Sequence, residues 1–536
     1  VFVWKKCYYD VKSSQRRKVI VIGLDGATWK LLDDWIEKNE LPTLGEIARC
    51  GVKGKLKTTI PPITPVAWSS FVTGKNPGKH GVFGFERGEG LTTHSRSIKS
   101  LKIWDILSHY GLRNCILYVP MTYPVEPING VMISDPLFTP NFKYVERIVF
   151  PPSLIEEHPS IRRLMKDIFY DNLLENKVAY VLSNKEEAFN AMMRETRTKL
   201  TLAKELIKQF EFDFFFIHFI RTDSIQHYFW NDKSYILSFY KFLDLGIREL
   251  INLFNSQEGQ LYIFVVSDHG FHQAPEYLLY VNTFINHKFE QQDFKRRFTE
   301  NLYQLSNNAR ILLKEKFRFD LTSYMAKLYR FLEKTRAYAG TQKARFVSGY
   351  FIKINKDFFN SQETFERFKK KIINELRMLR GPNHDEVMFL VSEKQELYQG
   401  KYLEDAPDII LVPNVKYALS AKPSSKIFDI IREPILPGTH TSAPALEGIF
   451  MVRGPNVKVG YKVSTVNIWD VTPTILHILG LPIPQDMDGR VLRKIFDPSS
   501  PIVNKKVKHI DELEVARIML KKRIKMIRRN IRNDST

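Results

Sequence analysis

The stretch Lys18–Leu24 reads KVIVIGL and runs directly into Asp25-Gly26. A continuous apolar run rich in β-branched residues predicts a strand buried on both faces, as a parallel sheet requires. A helical pattern follows from Trp29 to about Lys38, and PTLGEIARC, Pro42–Cys50, predicts a second short helix stopped by Gly51. Similar apolar runs recur at Asn114–Val119, Phe212–Ile220, Gln260–Ser267, Asp408–Val412 and Gly448–Val452. Helical patterns at Glu187–Glu211 and Ser234–Asn255 lie between some of them. Strands alternating with helices predict an α/β chain, its mostly parallel sheet covered on both sides.

The chain has 536 residues, of which 44% are hydrophobic and 26% charged. Such a composition excludes a disordered or collagen-like chain. Single cores stop growing near ~250–300 residues, so this length predicts a core carrying insertions. The core is expected over residues 16–276 and 405–500, discontinuous in sequence. Residues 277–404, rich in Lys, Arg, Phe and Asn, are expected to form a largely helical insertion or cap, with a smaller insertion at 137–185. Cys7, Cys50 and Cys115 are too few and too scattered for a disulfide framework or a cysteine zinc cluster. Their usage fits a reducing, cytoplasmic setting. No stretch approaches the ~18 apolar residues of a membrane span, and Val1–Tyr9 lacks the apolar run of a secretory signal.

Lys and Arg number 80 against 59 Asp and Glu, a formal charge of +21. That excess favours anionic partners. The tail, residues 501–536, is the most basic part, with eleven Lys/Arg against four Asp/Glu from Lys505 onward. Leu513, Leu520, Ile524, Ile527 and Ile531 fall near one helical face. The expectation is a surface helix docked by that face. The alternative is contact with an anionic membrane or a nucleic acid.

In open α/β sheets, ligands gather beyond the carboxyl ends of the strands. Asp25 follows the first strand, Asp223 and His227 follow Phe212–Ile220, and Asp268-His269 ends Gln260–Ser267. His440 sits in PGTHTS, before Gly448–Val452. A lone Asp after a strand usually caps a helix; three Asp and three His at one sheet edge form a metal-ligand pattern. Such donors suit zinc, with manganese as second choice. Six side chains can serve two ions and leave open positions, and paired ions about 3.5–4 Å apart clamp the oxygens of a phosphoryl displacement. Thr64 precedes Pro65 at or near the N-cap of a helix predicted over Val66–Thr73. A hydroxyl there either caps the helix or meets a phosphoryl group at the positive end of its dipole.

Seven segments together resemble the alkaline phosphatase superfamily, in particular its type I phosphodiesterase/nucleotide pyrophosphatase-like branch. They are VIVIGLDGA (19–27), LPTLGEIARCGVKG (41–54), PPITPVAWSSFVTGKNPGKHGVFGF (61–85), RTDSIQH (221–227), VVSDHGF (265–271), GTHTSAPALEGIFMVRGP (438–455) and VNIWDVTPTILHILGLPIPQDMDGR (466–490). The resemblance implies a three-layer α/β/α sandwich and a metal-dependent phosphohydrolase acting on phosphodiesters or phosphomonoesters through a phosphothreonine. It implies two divalent ions, Asp25, Thr64, Asp268 and His269 around one, and Asp223, His227 and His440 around the other. Thr64 matches the family nucleophile, with Ser69 and Ser70 as second choices, and His80 matches a recurrent structural His-Gly.

The chain departs from nucleotide pyrophosphatases at two positions. Phe85 and Ala67 stand where those enzymes place asparagines. Backbone N–H groups, or a basic residue of the insertion such as Arg345 or Lys353, are the alternative phosphoryl holders. Two rival readings are a phosphoglycerate mutase-like phosphotransferase of the same superfamily and an inactive relative that binds polyanions. A sulfatase is disfavoured because no C/S-x-P-x-R motif lies near Thr64.

Overall fold

The computed structural model describes residues 16–86, 93–135, 145–175, 184–289 and 343–534. Its centre is a nine-stranded sheet. Seven strands come from the first half of the chain: β1 (Arg17–Leu24), β2 (Val52–Lys57), β3 (Asn114–Leu117), β4 (Gly130–Ile133), β5 (Val149–Phe150), β6 (Phe214–Phe219) and β7 (Gln260–Val266). The other two are Glu447–Arg453 and Tyr461–Asn467. The spatial order is Tyr461–Asn467, β2, Glu447–Arg453, β7, β1, β6, β3, β4, β5. The run from β7 to β4 is parallel throughout, while Glu447–Arg453 and β5 are antiparallel to their neighbours.

The apolar run of β1 lies between β6 and β7 and feeds two cores. Ile20, Ile22 and Leu24 point into one apolar layer, and Val19 and Val21 into the other. Phe215, Ile217 and Phe219 of β6 share the first layer, Phe214 and Phe216 the second. This period-two alternation explains why the run carries no polar face: both sides are covered. Helices α1 (Trp29–Glu37) and α2 (Pro42–Arg49) cover the first side and α3 (Thr64–Thr73) the second. The expected three-layer sandwich is therefore present. Pro42 starts α2, and Leu41 offers no side-chain cap. The buried Asp244 carboxylate, from helix Lys233–Ser256, accepts hydrogen bonds from Thr43 N at 2.9 Å and Leu44 N at 2.8 Å instead.

The side unit differs from expectation in two ways. Among the described residues it is mixed rather than largely helical. Four antiparallel strands, in the order Ala344–Ser348, Phe351–Ile354, Ile409–Pro413 and Met388–Glu393, pack with helix Gln362–Arg377. Residues 290–342 lie outside the described residues. The run Asp408–Val412, expected in the central sheet, joins this smaller sheet. A second small sheet, Tyr417–Ser420, Tyr277–Tyr280 and Phe428–Ile430, shares its core. The unit therefore continues to about residue 430, past the expected boundary at 404. An apolar run reports burial, and burial here is supplied by a different sheet.

The tail does form a helix, Glu512–Asp534. It docks by a face other than the expected one. Val515, Ile518 and Met519 pack against the second apolar layer, whereas Leu513, Leu520, Ile524 and Ile527 are exposed. Lys522 lies on the docked side, its ammonium 2.9 Å from Asp105 and 2.8 Å from Glu126. Cys115 is a free buried thiol, and Cys50 is disulfide-bonded, a linkage that the cysteine spacing did not predict.

Candidate metal centre

The carboxyl ends of β1, β6 and β7 deliver the acidic residues to one place. Asp25 follows β1, Asp268 follows β7, and Asp223 lies in the first turn of helix Arg221–Phe229, just after β6. Gly26 makes the turn after Asp25 at φ +63°, and a Cβ there would meet Asp223 Oδ1 at 3.1 Å and His269 Cε1 at 3.4 Å. Glycine is needed for both reasons. Thr222 Oγ1 donates to the Asp25 carbonyl at 2.7 Å, and Gln226 Nε2 to the Gly26 carbonyl at 2.9 Å. One short helix thus clamps the turn that presents Asp25.

Two compact groups of ligand atoms result: Asp25, Asp268 and His269, and Asp223, His269 and His440. In the first, His269 Nε2 lies 3.3 Å from Asp268 Oδ2 and 3.6 Å from Asp25 Oδ1, and all three side chains are fully buried. In the second, His440 Nε2 stands 3.8 Å from Asp223 Oδ1, and the His440 and His269 rings stack at 3.9 Å. His227 belongs to neither compact group. Its Nε2 lies 3.4 Å from Asp223 Oδ2, beside His440. Asp223, His227 and His440 keep side-chain exposures of 14–19%, so this half of the cluster meets solvent. His269, assigned to the first ion from the sequence, faces both halves.

The donor chemistry fits divalent cations. Asp25 Oδ1, Asp223 Oδ1, Asp268 Oδ2 and His269 Nε2 are buried and without a hydrogen-bond partner. Buried polar atoms are rarely left so, and here they converge. Each imidazole donates its Nδ1–H to a backbone carbonyl: His227 to Gly438 at 2.8 Å, His269 to Gly270 at 3.0 Å and His440 to Pro62 at 3.3 Å. That fixes the tautomer with the Nε2 lone pair turned to the cluster, the arrangement of metal-binding histidines. Burial, with Asp268 and Asp223 nearby, pushes Asp25 well above the usual carboxylate range. Burial likewise raises Asp268 to about 7, opposed by backbone N–H groups including Gly26 and by the Thr64 hydroxyl, and lowers His269 to about 4. A cation would relieve this crowding of carboxylates.

Thr64 is the first residue of α3, not its cap. The N-cap is Ile63, and no side chain caps the helix. The Thr64 hydroxyl instead interacts with the Asp268 carboxylate. Ser69 and Ser70 are fully buried in the same helix, and Ser70 Oγ is 2.9 Å from His80 Nε2. His80 also accepts from Val82 N at 3.2 Å, and burial lowers it to about 3, as a structural histidine requires. Ala67 is fully buried and Phe85 is 46% exposed, so neither position supplies an amide. Arg345 and Lys353 are exposed register partners on one hairpin. The side unit reaches the centre through Tyr350, whose OH donates to the His440 carbonyl at 3.2 Å.

Two side chains that sequence reasoning left out of the site support it from behind. Asp25 Oδ2 accepts from Trp68 Nε1 at 3.2 Å and shares a 2.9 Å hydrogen bond with His218 Nε2. Gly23 makes room: a Cβ there would meet Trp68 at 2.9 Å and His218 at 3.0 Å. The available signal was a histidine inside FFFIHF, a polar group in a doubly covered strand.

The fold is that of the alkaline phosphatase superfamily. The family described as type I phosphodiesterase/nucleotide pyrophosphatase matches residues 19–443, and the chain belongs to it. It is accordingly a hydrolase acting on phosphoric ester bonds, from a metal-dependent family. Among solved structures, murine ectonucleotide pyrophosphatase/phosphodiesterase 5, an inactive threonine-to-alanine variant in complex with AMP, is similar with a TM-score of 0.52 at 13% identity. The match covers 90% of this chain and 100% of that one. The human protein gives a TM-score of 0.53 at 13% identity over the same shares. These likenesses show a shared fold.

Proposed function

We propose that the chain hydrolyses phosphodiesters or phosphomonoesters at two divalent ions through a phosphothreonine on Thr64. The observation that carries this reading is the Thr64 hydroxyl at the N-terminus of α3, against Asp268, beside four orphaned buried ligand atoms. Asp25, Asp268 and His269, with Thr64, would hold one ion, and Asp223, His227 and His440 the other. Zinc suits this mixture of carboxylate and imidazole, with manganese second. When bound, such ions lower the pKa of a hydroxyl or water and offset phosphoryl charge.

In the first half-reaction Thr64 Oγ bonds to phosphorus as the bond to the leaving-group oxygen breaks, and the Thr64 proton passes through solvent to that departing oxygen. The positive end of α3 favours the negative phosphoryl oxygens there. Water then attacks the phosphothreonine, the P–Oγ bond breaks, and the Thr64 hydroxyl is restored. The partly exposed half around Asp223, His227 and His440 leaves an approach for substrate. By analogy with the murine relative, inactive with a threonine replaced by alanine and holding AMP, a nucleotide phosphodiester is the first substrate class to try.

The test is turnover of an aryl phosphodiester and an aryl phosphomonoester after chelation and refilling with Zn²⁺ or Mn²⁺, for the wild type and Thr64→Ala. The expected result is metal-restored turnover that Thr64→Ala loses while keeping its metal by elemental analysis. A Thr64→Ala protein with near-normal turnover would remove the phosphothreonine.

A further inference from the structure

We infer that the tail helix, Glu512–Asp534, docks this protein on the surface of an anionic lipid bilayer. The inference is independent of the catalytic reading. One face of the helix is already used: Val515, Ile518 and Met519 pack on the body, and the Lys522 ammonium is held by Asp105 and Glu126. Burial raises the Glu126 carboxyl, but Lys102 and Lys522 outweigh it and hold the group down at about 2. The helix is therefore anchored through a buried ion cluster, and its outer face has a fixed orientation.

That outer face is apolar. Leu513 is 63% exposed, Leu520 59%, Ile524 40% and Ile527 58%. Their spacings of seven, four and three residues keep them in one stripe at about 100° per residue. Scattered exposed aliphatics need no explanation, but four in a continuous row mark a contact surface. Exposed cations border the stripe: Arg517, Lys521 and Lys525 on one flank and Arg523 on the other. An aliphatic row between Lys and Arg flanks is the pattern of helices that lie in a membrane interface. No described helix is long and apolar enough to cross a membrane, so the contact is peripheral.

Charge complementarity selects the occupant. The whole chain carries +21, so a second copy seated on this stripe would bring like-charged flanks together. A nucleic acid would neutralise the cations but leave the four aliphatic side chains in water. A bilayer with anionic headgroups meets both demands, since its surface attracts the cations and the aliphatics enter the acyl boundary.

The experiment is co-sedimentation of the full chain with vesicles of phosphatidylcholine alone and of phosphatidylcholine with phosphatidylserine. Binding should be at least about tenfold tighter to the anionic vesicles and should weaken with added salt. Leu520→Gln with Ile524→Gln should abolish it at unchanged melting temperature. Lys521→Glu with Lys525→Glu, a second variant on exposed positions, should remove the preference for anionic lipid. Equal binding to both vesicles, or binding that survives the aliphatic substitutions, would overturn the inference. So would absent vesicle binding, and a duplex-oligonucleotide complex or a stripe-dependent dimer in sedimentation velocity would then name the other occupant.

Discussion

His218 Nε2 and Asp25 Oδ2 share a hydrogen bond at 2.9 Å across the β1–β6 pair, where His218 is in register with Gly23. The bond occupies one oxygen of Asp25 and leaves Oδ1 turned to His269. Outer partners of this kind fix a ligand's orientation, and their loss typically costs 10–100-fold in metal affinity. His218→Phe keeps a ring against Trp68, now 4.9 Å away, and removes the hydrogen bond. We expect metal affinity to fall by about 10–100-fold in a competition titration with a chromophoric chelator. Unchanged affinity would mean that Trp68 alone orients Asp25.

Asp268 makes the metal-free protein sensitive to pH. Burial raises its folded value from 3.8 to about 7. For a carboxyl raised on folding, the contribution to stability is complete below 3.8 and is lost as pH rises through about 7. A divalent cation replaces the proton. The gain in melting temperature on adding Zn²⁺ to chelated protein should therefore grow from about pH 5.5 to about pH 7.5. A gain independent of pH would show that Asp268 takes no part in binding.

Gly26→Ala should harm both stability and metal binding. A non-glycine residue at φ +63° costs roughly 1–2 kcal/mol. Its Cβ would also press on Asp223 Oδ1 and His269 Cε1. Chemical denaturation should show the loss of about 1–2 kcal/mol, with a weaker metal titration beside it. A variant as stable as wild type would contradict the turn geometry.

Asp244→Ala tests the borrowed cap of α2. Two buried N–H groups, on Thr43 and Leu44, would lose their acceptor. An unsatisfied buried donor costs about 1–3 kcal/mol, so we expect a loss of at least that size in urea unfolding with the metal cluster intact. A change below about 0.5 kcal/mol would show that water or another group satisfies these donors.

The central sheet was legible because β1, β6 and β7 are covered on both faces and their sequences must be apolar throughout. The acidic and histidine residues were legible because they interrupt those runs at the ends. Supporting groups were not. Trp68 sits in a helix that is apolar all round, where nothing in the pattern separates a donor to Asp25 from core packing. Asp408–Val412 showed its burial but not its partner, since hydrogen-bonded neighbours leave no trace in one strand. The tail misled because two faces of the helix are apolar. The docked one includes Lys522, which a hydropathy reading discards and which Asp105 and Glu126 neutralise.

The side chains of the cluster come from residues 25, 64, 223, 227, 268, 269 and 440, spread over most of the polypeptide. During synthesis the carboxylates emerge long before His440 leaves the ribosome, so no nascent fragment can assemble the complete cage. On the proposed two-ion reading, ion capture would be a late event in biogenesis, and the stoichiometry of bound cation would report whether the chain has finished folding.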